Sequence, residues 1–112
     1  MSGAAIIAEA KKHLGSGALI AHGIYPQKYD CSGFVVYVYK KVTGKKLPRL
    51  TSDLINTGKK VSRNNLKLGD LVFPTSNHVG LYAGGNSFIH ISNDGYPKMS
   101  SINKFYTARR VL

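Results

Sequence analysis

Cysteine is all but missing: Cys31 stands alone, so no internal disulfide can staple the chain and a packed core must hold it. Acidic side chains are scarce too. Five Asp and Glu face 16 Lys and Arg, and the net charge of +11 directs the surface towards a polyanion such as nucleic acid, anionic lipid or an anionic cell wall. No apolar run approaches the roughly 18 to 20 residues of a membrane-crossing helix, so no membrane span is expected. Proline is limited to 4 residues, which with 12 glycines and 43% hydrophobic residues excludes a disordered or fibrous chain.

What is present fits one domain over residues 1–112, long enough for a single core and too short for a second. The cations come as scattered doublets (Lys11/Lys12, Lys40/Lys41, Lys45/Lys46, Lys59/Lys60, Arg109/Arg110), without a basic tail or a nucleic-acid motif. No specific nucleic-acid partner is therefore read, and a merely solvated surface stands beside a binding patch as an explanation. The opening MSGAAIIAEAKKHLG lacks a basic stretch followed by a long apolar core and does not read as a signal peptide.

Along the chain, Ser2 can cap a helix over residues 2–14, with Ile6, Ile7, Ala10 and Leu14 on one face and Gly15 as its left-handed stop. Residues 15–30 read as a loop that delivers Cys31. The run from Ser32 to Gly44 is ambiguous, since its valines and tyrosines favour a strand whereas its length and its Lys40, Lys41, Gly44 ending favour a helix. A short helix is expected at Ser52 to Thr57. Beyond residue 66 come short apolar runs, GDLVFP, HVGLYAG, SFIHIS, YPKMSS and FYTARRVL, with hairpin signals at Ala83-Gly84-Gly85-Asn86 and Asn93-Asp94-Gly95. Helices first and an antiparallel meander afterwards make an α+β domain.

A thiol becomes a useful nucleophile when its thiolate is stabilised, and a helix start beside a histidine does this. His78 and His90 lie on the two arms of the expected hairpin, and their even separation suits one face, so one ring could act as base and the other as its orienter. Taken singly, Cys31 reads as a core residue and each histidine as a structural group. A zinc site from Cys31, His78 and His90 is a weaker option, because short paired-ligand spacings are missing. His13 and His22, without such partners, are assigned to the surface.

Asp30-Cys31-Ser32-Gly33-Phe34, Leu47-Pro48-Arg49, Leu68-Gly69-Asp70-Leu71-Val72-Phe73, His78-Val79-Gly80-Leu81-Tyr82 and Phe88-Ile89-His90, in this order, resemble the NlpC superfamily of papain-like cysteine peptidases, which cut peptidoglycan stem peptides. The resemblance runs from about residue 14 to Val111. It implies a papain-like α+β fold with the nucleophile at a helix N-terminus packed on a C-terminal antiparallel sheet. By the same resemblance Cys31 is the nucleophile, His78 the general base, His90 the group that orients it, and Asp30 and Ser32 bind the free amino end of the substrate; no metal or organic cofactor is needed. Three positions depart from the family pattern: Leu19 replaces a tyrosine, His22-Gly23 replaces Gly-Gly, and Ile55 or a neighbour replaces a glutamine. Tyr25 or Tyr29 are the candidates to make up for the lost hydroxyl.

The expectation is a monomeric endopeptidase of cell-wall stem peptides, cutting between D-glutamate and the diamino acid and working at the wall or in the periplasm. Rival readings are a papain-like N-acetylmuramoyl-L-alanine amidase, a lipid-directed acyltransferase, and a catalytically silent wall-binding or phage-tail module. The basic surface would meet the anionic wall. Delivery could be by a secretion machine as an antibacterial effector, with a cognate immunity or inhibitor protein, by a phage particle or lysis system, or through an export signal removed before these residues begin.

Overall fold

The computed structural model describes residues 2–15, 30–92 and 95–112. Helix α1 spans Gly3–Lys11 and begins where expected, with the Ser2 hydroxyl accepting from the Ala5 N–H. It ends earlier than the sequence pattern suggests. Its core face is Ile6, Ile7 and Ala10, whereas Leu14 lies beyond it in a turn and is 40% exposed.

The ambiguous valine-rich run is a helix, α2, over Cys31–Thr43. Asp30 caps it by accepting from the Gly33 N–H at 2.8 Å, and Gly44, at φ +75°, closes it in the left-handed conformation. Local strand propensity loses because Phe34, Val35, Val38 and Tyr39 are all fully buried against helices and sheet, so burial rewards the helix. A short helix α3, Thr51–Leu54, starts one residue before its expected position and stops sooner.

Six antiparallel strands follow: β1 Lys59–Lys60, β2 Leu71–Phe73, β3 Gly80–Gly84, β4 Ser87–Ile91, β5 Pro97–Ser101 and β6 Thr107–Arg110, ordered β1-β6-β2-β3-β4-β5. Strand β1, two exposed lysines paired with Arg109 and Arg110, carries no apolar signature by which sequence marks a strand. The β3–β4 hairpin turns at Gly85-Asn86 as expected. Of the next turn, Asn93 and Asp94 lie outside the described residues, as do Leu19, His22, Tyr25, Tyr29 and most of the loop before Cys31.

Strand alternation sorts the sheet into two faces. Leu71, Phe73, Leu81, Ile89 and Ile91 join Ile6, Phe34, Val35, Val38 and Tyr39 in the main core. Val72 and Phe88 turn the other way, into a smaller cluster with Ile102, Leu66, Tyr82 and Phe105. The Tyr39 hydroxyl ties α2 to the turn before β2 by donating to the Gly69 carbonyl at 2.6 Å, and burial pushes its phenol far above its ordinary pKa. Among the described residues no helix is long and apolar enough to cross a membrane.

Candidate active site

Three consecutive residues at the start of α2 are held by one short segment, residues 49–51. Arg49 Nη1 donates to Ser32 Oγ at 2.8 Å and lies 3.1 Å from Asp30 Oδ1. Ser32 in turn donates to Asp30 Oδ1 at 3.3 Å. Between them, Cys31 Sγ lies 3.7 Å from Thr51 Oγ1. Gly33 leaves room for this packing, because a Cβ there would stand 2.9 Å from Asp30 Oδ1 and 3.1 Å from Arg49 Nη2 and push both side chains back.

These contacts show what the DCSG and LPR stretches share. The Asp30 carboxylate satisfies the open N–H of the helix and balances Arg49, and both fix the backbone on either side of the thiol. Cys31 itself is half-buried and packs against the edge of the main core. Asp30 keeps 35% of its side chain exposed, whereas Ser32 is buried and bonded to Asp30 and Arg49.

The histidine pair forms on the sheet. Thr75 organises the turn before β3, its carbonyl accepting from the His78 N–H at 3.4 Å and its hydroxyl from the Asn77 N–H at 3.3 Å. His78 thus precedes β3 instead of lying within it. In the β3–β4 register Leu81 faces Ile89 and Tyr82 faces Phe88, so His90 falls opposite Gly80 and diagonal to His78 on one face. The diagonal suffices: His78 Nε2 and His90 Nδ1 are 2.8 Å apart. His90 Nε2 is 2.8 Å from Ser100 Oγ on β5, which extends the pair into a three-member chain.

Packing orients these rings. Phe88 stacks on His90 with centroids 4.2 Å apart and planes 10° apart, and meets His78 edge-on at 6.4 Å. Gly80 makes room for both, since a Cβ there would come within 2.4 Å of Phe88 Cδ2 and 2.9 Å of His90 Cβ. Burial holds His78 below the ordinary imidazole value, so the ring is neutral near pH 7 and able to accept a proton. His78, Phe88, His90 and Ser100 line a cleft of about 310 Å³ shared with Asn103 and Lys104.

The structure therefore joins His78 to His90, and Cys31 to Thr51; the thiol's hydrogen bond runs to Thr51 and not to His78. Among the described residues no three His, Cys, Asp or Glu side chains, Cys31, His78 and His90 included, are grouped so as to hold a metal ion. His13 also departs from expectation. Instead of a surface role it lies 2.8 Å from Glu9 Oε2, with 17% of its side chain exposed and its edge against Phe34 and Tyr37. Burial raises the Glu9 carboxyl, but bonds and charges from His13 and Lys12 outweigh it and leave the group below its ordinary range.

Sequence reasoning missed Arg49, Thr51 and Ser100 as members of the site. Arg49 had a signal, since it belongs to a recognised motif, but no local pattern tells that its partners lie 17 residues upstream. Ser100 had none.

The model described as the NlpC/P60 family matches residues 19–112. A murein DD-endopeptidase MepS/murein LD-carboxypeptidase of Escherichia coli is 44% identical over 93 residues, covering 74% of this chain and 50% of that protein. A gamma-DL-glutamyl hydrolase of Bacillus subtilis is 33% identical over 101 residues, covering 88% of this chain and 24% of that protein. The chain thus spans half or less of the length of these relatives. Among solved structures, the NlpC/p60 domain of the peptidoglycan hydrolase SagA superposes with a TM-score of 0.84 at 35% identity, covering 98% of this chain and 99% of that one.

Proposed function

The chain belongs to the NlpC/P60 family, and on that premise we propose that it is a cysteine peptidase of peptidoglycan stem peptides, with Cys31 as nucleophile, His78 as general base and His90 as orienter. The observation that carries this is the 2.8 Å contact between His78 Nε2 and His90 Nδ1, backed by Ser100. A base that works through Nδ1 needs its proton on Nε2. Donation from His78 Nε2 to His90 Nδ1, and from His90 Nε2 to Ser100 Oγ, supplies that tautomer and directs every proton along one chain.

In the reaction, His78 Nδ1 takes the Cys31 proton and Sγ attacks the scissile carbonyl, giving a tetrahedral oxyanion beside the Cys31 N–H at the start of α2. The C–N bond breaks as His78 returns the proton to the leaving amine. Water, deprotonated by the same ring, then opens the thioester and frees the new carboxylate. His90 keeps the imidazole in orientation throughout by accepting the hydrogen bond from its Nε2.

The bond we assign is that between D-glutamate and the diamino acid. It is supported by the name of the Bacillus subtilis relative, while the Escherichia coli relative is named for DD- and LD-bonds. Asp30, the more exposed of the pair, and Ser32 are the proposed contacts for the free amino end of the stem peptide. The net charge of +11 suits an anionic wall as the place of action.

The test is to incubate peptidoglycan of known stem chemistry with the protein and with Cys31→Ala, and to identify released fragments by mass spectrometry. New D-glutamate termini with the active protein alone support the proposal. Cleavage at the sugar-to-alanine amide would replace it with the amidase reading, and binding without product would replace it with the silent module.

A further inference from the structure

Among the described residues, the peptidase reading leaves one polar side chain at the nucleophile without a role. Thr51 Oγ1 lies 3.7 Å from Cys31 Sγ, within the longer reach of a sulfur hydrogen bond. Its position in its helix explains why the hydroxyl turns there. Thr43 and Thr57 each send their proton back to the carbonyl four residues earlier, Tyr39 at 2.7 Å and Asp53 at 2.8 Å. Thr51 is the first residue of α3, capped by Leu50 without a side-chain bond, so no earlier carbonyl of its own helix is there to accept. The hydroxyl meets the thiol there instead, with either group able to donate.

We propose that Thr51 is a further catalytic residue, whose hydroxyl donates to the Cys31 sulfur once His78 has removed its proton. The inference rests on the assignment of Cys31 as nucleophile. In the thiol form either group can donate; after proton transfer the sulfur is an acceptor only, and Thr51 must supply the hydrogen. The bond thus strengthens as charge develops on sulfur, which favours the attacking state over the resting one. It breaks no covalent bond and moves no proton of its own.

The surrounding contacts hold Thr51 to this task. Arg49, two residues earlier, grips Asp30 and Ser32 on either side of the thiol, so the 49–51 segment and the 30–32 segment are locked in register. A loop free to slide could not keep a weak 3.7 Å contact.

The test compares Thr51→Val, which keeps the shape and removes the hydroxyl, with Thr51→Ser, which keeps the hydroxyl. Two readouts are used: release of stem-peptide fragments, and the rate at which iodoacetamide alkylates Cys31 at pH 7, followed by intact mass. Expected for Thr51→Val are a fall in kcat of between about ten- and a hundredfold with KM little changed, and alkylation slowed several-fold. Thr51→Ser should restore most of both. Thr51→Ala serves in the same way if the valine variant fails to fold by circular dichroism. Alkylation unchanged in a folded Thr51→Val or Thr51→Ala protein would overturn the assignment. Because alkylation needs no peptidoglycan, a wild-type protein that cuts no wall would sink the peptidase reading while this comparison still decides the part of Thr51.

Discussion

His78 and His90 meet nitrogen to nitrogen, Nε2 to Nδ1 at 2.8 Å, although His78 lies outside β3 and the two residues are diagonal and not cross-strand partners. The pair therefore depends on ring orientation more than on strand register. Phe88, flat against His90, supplies that orientation.

On the proposed reading His90 positions His78, and its loss should act on kcat. His90→Ala is expected to lower kcat by about 10²-fold or more with a small change in KM, in keeping with the loss of one well-placed partner to the base. His90→Asn, which can still accept at a similar position, should recover part of it. Equal losses in both variants, carried by KM, would point to a structural role alone.

Gly80→Ala tests the same geometry without touching a titrating group. The added methyl would press on the Phe88 ring and the His90 Cβ. Steady-state kinetics should show a loss of kcat approaching that of His90→Ala, with stability reduced by about 1 to 3 kcal/mol from overpacking. A fully active, stable variant would mean that the stack is not needed.

Acid should weaken the fold through His78 and Glu9 in separate windows. Burial keeps the His78 folded-state value below its ordinary 6.5, so below that pH the unfolded chain binds more protons and stability rises with pH. Glu9, lowered from 4.5, contributes stability that is present above that value and lost as the pH falls below it. Urea midpoints measured from pH 7 to 5 should therefore decline in the wild type and flatten in His78→Gln. The acid limb of kcat/KM should likewise fall below 6.5, and a limb above it would contradict a neutral, buried base.

Asp30 serves α2 chiefly as its N-cap. Asp30→Ala should cost about 1 kcal/mol in urea unfolding, and Asp30→Asn much less, since the amide oxygen can still accept from Gly33. The half-exposed ion pair with Arg49 adds little to stability by itself. Matching losses in the two variants would assign the effect to charge instead.

Arg110 and Asp70 should respond unequally. Asp70, 2% exposed, accepts from Arg110 Nε at 2.9 Å, from Arg110 Nη2 at 2.7 Å and from the Lys67 N–H at 2.8 Å. Arg110→Met strands a buried carboxylate and should destabilise by about 3 kcal/mol in urea unfolding. Asp70→Asn leaves Arg110, whose side chain is 30% exposed, to solvent and should cost less. The reverse order would mean that packing of the arginine stem dominates.

Local sequence determined the Ser2-capped start of α1, the Gly44 stop after the valine-rich run and the β3–β4 hairpin, because caps, turn glycines and apolar period act over a few residues. It also named the cysteine and both histidines through ordered motifs. It left α2 balanced between helix and strand, since propensity and length disagree there, and the burial of Phe34, Val35, Val38 and Tyr39 decided the matter. Tertiary structure alone decided that Arg49 and Thr51 reach residues 30–32, that Ser100 ends the histidine chain, and that His13 turns inward to Glu9 and Tyr37. The Arg49, Thr51 and Ser100 contacts span 10 to 20 residues or cross between elements, and the inward turn of His13 needs α2 packed beside α1; no period or cap encodes such distances until the helices and the sheet have packed.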